Sequence, residues 1–143
     1  MINIKFSSDV YGVLIEVDGH AGYSVIGKDV ICAAVSGIIN YLYILSINIK
    51  RRTKILKSRK RSSLKPGKAI IYFDRPVLKK DDDYLLRFYK LGGISTINFA
   101  IMSAIETFDT LKEQYPGYIT VEHPSLYELI NWDTSVKLWI LRF

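Results

Sequence analysis

The sequence predicts an α/β chain of the α+β type. A small mixed, mainly antiparallel sheet carries two principal helices in the order β-β-α-β-β-α-β, with a C-terminal extension. Three observations lead there. The opening residues alternate apolar and polar, the period of a half-buried strand. Ile97, Ile101, Ala104, Ile105, Phe108 and Leu111 recur at the spacing of one helix face. A length of 143 residues with 49% hydrophobic residues supplies one core and one domain.

The elements follow in order. Ile2 to Phe6 alternates, and Val13, Ile15 and Val17 share one face of a second strand over Val10 to Val17. Ser7, Ser8 and Asp9 suit the hairpin turn between them. Asp18-Gly19 ends the second strand and leaves His20 at its rim, and Ala21 to Lys28 is a loop. Asp29 is a fitting N-cap for a first helix from about Val30 to about Ser46, because its carboxylate accepts the free amides of the first turn. Lys50 to Lys68 reads as a mobile basic loop closed by Pro66-Gly67. Ala69 to Phe73 is a strand, and Tyr84 to Leu91 is expected to pair with it as a hairpin. Ser95 or Thr96 caps the second helix and Pro116-Gly117 ends it. Tyr118 to Val121 is a short last strand. Ser125 to Trp132 suits a short helix within the tail, whose apolar end, Leu138 to Phe143, should dock on the domain or on a partner.

Charge is unevenly placed. The net charge is +6, yet residues 50–68 hold ten Lys and Arg and no acid, while the remainder has ten bases against fourteen acids. This is an acidic domain with a basic segment, and that segment offers Arg51, Arg52, Lys57, Arg59, Lys60 and Arg61 to RNA phosphates or simply to solvent. Val30 to Ile49 carries no charge and precedes Lys50, Arg51 and Arg52, so by length it fits a membrane span. Ser36, Gly37, Asn40, Ser46 and Asn48 interrupt it, and a helix packed on a sheet is the preferred reading. No signal peptide is expected, since Lys5 and Asp9 break the apolar start. A lone cysteine forms no internal disulfide, which fits a reducing cytoplasm.

That cysteine, Cys32, falls at the third position of the first helix, where unpaired amides and the helix dipole favour an anion. A Cys and a His brought together where strand gives way to helix are the minimum parts of a thiol nucleophile with its base. His20 is the candidate base. Ser36 lies one helical turn past Cys32 on the same face, and Gly19 and Gly27 provide turns near the two groups. The amides at the start of the helix are candidate oxyanion donors. Each residue has a plainer alternative: Cys32 as a small core residue, Asp29 as a cap, Ser36 as a packing residue, His20 and the glycines as loop residues. His123 has no partner in the sequence and reads as structural. One Cys and two His give little material for a metal site, and no cofactor is called for.

The run Gly19-His20-Ala21, then Gly27, then Asp29-Val30-Ile31-Cys32-Ala33-Ala34-Val35-Ser36 resembles the pattern of the bacterial ribosomal-processing cysteine protease family. The resemblance extends over roughly residues 1–123, taken as the protease-like domain with residues 50–68 as a basic insertion. Residues 124–143 are the extension. It implies a small cytoplasmic homodimeric endopeptidase that trims the N-terminal extension of a large-subunit ribosomal protein. By position Cys32 is then the nucleophile and His20 the general base, with Asp29 and Ser36 in support. The basic segment is a possible ribosomal RNA contact. The competing expectation is a non-enzymatic ribosome- or RNA-associated protein held by that segment; a membrane-anchored protein is a third.

Overall fold

A computed structural model of the chain describes residues 1–9, 12–22, 24, 29–53, 60–74, 93–125 and 129. Its elements are β1 (Ile2–Ser8), β2 (Gly12–Gly19), α1 (Val30–Thr53), β3 (Ser63–Lys65), β4 (Lys68–Asp74), α2 (Gly93–Gln114) and β5 (Ile119–Glu122). The strands form one sheet in the order β3-β4-β2-β1-β5, antiparallel except for the parallel pair β1 and β5.

The alternation in the first two strands sorts their side chains. Ile2, Ile4 and Phe6 of β1 and Val13, Ile15 and Val17 of β2 are buried, while Asn3, Lys5, Glu16 and Asp18 are exposed. Ala69, Ile71 and Phe73 of β4 join the buried set. The predicted stripe of α2 packs on it, and Phe6 and Phe108 meet as tilted rings 6.2 Å apart. From α1 come Ile31, Val35, Ile39 and Leu42 at helical spacing. Sheet and helices thus enclose one core.

Several boundaries differ from expectation. The first hairpin turns later, because the Asp9 carboxylate accepts from the Gly12 amide at 3.0 Å and the Gly12 carbonyl accepts from the Asp9 amide at 3.0 Å. The first helix runs on past Ser46 into the basic segment and ends at Thr53. Ile49 still packs on the core there, and Lys50 pairs with Asp74 at 3.7 Å. The far end of that segment is strand rather than loop: Ser63–Lys65 form β3, which pairs antiparallel with β4. Pro66 and Gly67 explain it. Proline at the first central position and glycine with φ +74° at the second are the makings of a type II turn that joins Lys65 directly to Lys68. The predicted strand at 84–91 lies outside the described residues. The second helix starts at Gly93, so Ser95 and Thr96 fall inside its first turn. Most of the tail lies outside the described residues, including nearly all of the predicted helix at 125–132; Leu129 is fully buried in the core.

Register brings several pieces to one end of the sheet. Ile2 faces Gly19 across β1 and β2, and Asp18 faces Lys68 across β2 and β4. The start of β1, the end of β2 and the Pro66-Gly67 turn therefore meet there, beside His20.

Candidate active site

The loop after β2 and the first turn of α1 are tied together by Asp29. Its Oδ1 accepts the amides of Ile31 at 2.9 Å and Cys32 at 3.1 Å, and its Oδ2 accepts the amide of Ser24 at 3.3 Å. Its carbonyl takes the Ala33 amide at 3.0 Å. The residue is buried, as a carboxylate can be when its oxygens are met by donors. This is the capping role expected of it. It also removes one expectation, because the amides of Ile31, Cys32 and Ala33 are all occupied within the chain. They are not open oxyanion donors.

Cys32 stands at the third position of α1, half-buried and free. One amide from outside the helix reaches it: the Ala21 N–H donates to Sγ at 3.3 Å. Ala21 is itself buried, 4% exposed, so that amide is held against the sulfur instead of facing water.

His20 is exposed at the rim, next to Gly19, whose φ is +95°. A Cβ at Gly19 would lie 2.2 Å from the Met1 carbonyl oxygen, so only glycine fits this close crossing of β1 and β2. The Met1 amine donates to the His20 carbonyl and fixes the same corner. The imidazole and the thiol line one open cleft of about 480 Å³. No hydrogen bond joins them among the described residues.

Ser36 and Asn40 continue the α1 wall of the cleft, one and two turns beyond Cys32. Ser36 is exposed, and its hydroxyl makes no hydrogen bond among the described residues. The β3–β4 hairpin, from Leu64 through Lys65, Pro66 and Gly67 to Lys68 and Ala69, supplies another wall. Sequence reasoning missed that wall and Asn40. The Asn40 spacing from Cys32 was a readable signal; the hairpin's approach to His20 was not, because it depends on strand register.

The other expected residues are dispersed. Gly27, Lys57 and Arg59 lie outside the described residues. Arg51 is exposed near the end of α1, Arg52 follows it in the helix, and Lys60 and Arg61 are exposed just before β3. His123 sits at the other end of the sheet, just past Glu122, which pairs with Lys5. Its Nε2 lies 3.8 Å from Asp109 and its Nδ1 2.8 Å from the Pro124 carbonyl, partners that the sequence did not reveal. Among the described residues no three His, Cys, Asp or Glu side chains converge as a metal site would require.

The fold is similar to that of solved proteases. An essential ribosomal processing protease Prp from S. aureus, in complex with a covalently linked product peptide, aligns with TM-score 0.52 and 17% identity over 87% of this chain and 100% of that one. The same S. aureus enzyme in complex with a substrate peptide aligns with TM-score 0.49 and 19% identity, again over 87% of this chain and 100% of that one. No curated protein matches the sequence. The family model described as cysteine protease Prp matches residues 1–120, a span that contains both strands of the first hairpin, the Asp29 cap, Cys32 and the whole cleft. On that match the chain belongs to the Prp family of cysteine proteases.

Proposed function

We propose that this chain removes an N-terminal extension from a large-subunit ribosomal protein, with Cys32 as nucleophile and His20 as general base. The observation that carries the assignment is their place in one cleft, with the Ala21 amide aimed at the sulfur. Family membership gives the class of reaction, and the S. aureus relative is described as a ribosomal processing protease.

The chemistry then runs as follows. His20 takes the thiol proton, and Sγ attacks the scissile carbonyl carbon. The carbonyl oxygen becomes an oxyanion, and the Ala21 N–H turns from sulfur to that oxygen as its donor. The C–N bond breaks, and the His20 imidazolium gives its proton to the departing amine. A thioester on Cys32 remains. Water, deprotonated by His20, attacks the thioester and releases the carboxylic acid, and the proton returns to the thiolate. Asp29 holds the helix start and the loop in place, and Ser36 offers a hydroxyl to the bound peptide.

The reading includes a cytoplasmic homodimer, and ribosomal RNA contact through Arg51, Arg52, Lys57, Arg59, Lys60 and Arg61. The test is cleavage of the extended ribosomal protein, followed by mass spectrometry. Cys32→Ala abolishes cleavage while the far-UV circular dichroism and melting temperature hold. His20→Ala slows cleavage and also slows labelling of Cys32 by iodoacetamide. Ser36→Ala costs less than His20→Ala, since it removes at most one supporting hydrogen bond. Cleavage that persists in Cys32→Ala overturns the assignment.

A further inference from the structure

We propose that Gly67, at the tip of the β3–β4 hairpin, is a positioning residue for the His20 imidazole. The inference rests on His20 being the general base. Three observations support it. A Cβ built at Gly67 would lie 3.1 Å from His20 Nε2 and 3.6 Å from Cε1, so the turn backs the edge of the ring that carries Nε2. The Gly67 carbonyl accepts the Gly19 amide at 2.9 Å, which ties the turn to the backbone that bears His20. Gly67 has φ +74°, a conformation that the turn between Lys65 and Lys68 requires and that glycine adopts without strain.

The bare backbone of Gly67 therefore leaves free the space beside the imidazole that a side chain at this position would enter. A methyl group there moves the ring by a few tenths of an ångström. General-base catalysis is sensitive to such displacements, with about 100-fold in rate lost for a 1 Å misplacement, so about tenfold is expected here. The hairpin is then more than a wall of the peptide cleft. It limits where the base can stand.

The obvious variant, Gly67→Ala, also strains the backbone at positive φ. Gly117→Ala is its control: Gly117 has φ +88°, and a Cβ there meets nothing within 4 Å. Both variants are expected to melt at similarly reduced temperatures. Gly67→Ala alone lowers kcat for peptide cleavage about tenfold, with KM within about twofold, and slows iodoacetamide labelling of Cys32. Labelling is then repeated in a His20→Ala background, where adding Gly67→Ala has no further effect if the glycine acts through the imidazole. A Gly67→Ala enzyme with the kcat of Gly117→Ala overturns the inference, and so does an equal slowing of labelling with and without His20. If His20→Ala itself leaves labelling and cleavage unchanged, the failure lies in the assignment of the base rather than in Gly67.

Discussion

At Asp29 one carboxylate serves two segments, and the two duties can be separated. Alanine there leaves the amides of Ile31, Cys32 and Ser24 without their acceptor. Losing an N-cap costs about 1–2 kcal/mol, so urea denaturation of Asp29→Ala should show a loss of that size. Asn keeps a carbonyl oxygen for Ile31 and Cys32 but offers no second acceptor to Ser24. Asp29→Asn should therefore recover most of the stability, to within about 0.5 kcal/mol of the parent. A cleavage rate that stays low in Asp29→Asn would show that the charge or the Ser24 tie matters beyond capping. The Ala21 amide permits a sharper test. Replacing its N–H by an ester oxygen deletes one donor and no side chain. If that N–H stabilises the oxyanion, kcat for peptide cleavage falls by about 100-fold or more. Iodoacetamide labelling, which forms no oxyanion, falls much less. Equal losses would mean that the amide stabilises only the sulfur.

Among the elements, α1 shows how far local signals reach. Its start was legible because Asp29 is a strong cap, and this placed Cys32 at the third helical position. Its end was not. Ten bases from Lys50 to Lys68 argued for a loop, whereas the contacts of Ile49 with the core and of Lys50 with Asp74 carry the helix to Thr53. The strand alternation and the α2 stripe were legible for the same reason as the cap, since each is a pattern within one element. The second wall of the cleft was not, because the pairing of Asp18 with Lys68 brings Gly67 to His20 across a wide gap in sequence. By length and hydropathy α1 is apolar enough over Val30–Arg51 to cross a bilayer. Its buried stripe, Ile31, Val35, Ile39 and Leu42, is matched to the core beneath it, and membrane insertion would strip that core of its cover. The chain is accordingly expected in the soluble fraction without detergent. Recovery only from detergent-extracted membranes would contradict the packing of α1.

For the whole molecule, charge and cleft are joined through the chain. Outside residues 50–68 the protein carries ten bases and fourteen acids, so the rest of the surface is on balance repelled by RNA. The basic segment ends in Lys65 and Lys68, which line the same cleft as Cys32, while Arg51 and Arg61 are exposed farther back along the same segment. A phosphate backbone bound along this segment would hold a ribosomal substrate close to the site without touching the scissile bond. Such contacts release counterions, so their strength falls with salt by roughly 0.7–0.9 in log-log slope for each phosphate neutralised. Cleavage of the extended protein within an RNA-containing particle should then decline with potassium chloride more steeply than cleavage of a short peptide carrying the same site. Replacing Arg51 and Arg61 together by glutamine should flatten that difference by roughly 1.4–1.8 in slope and leave kcat on the free peptide unchanged. Identical salt curves for particle and peptide would assign the basic segment to solvent and remove RNA from the account of substrate delivery.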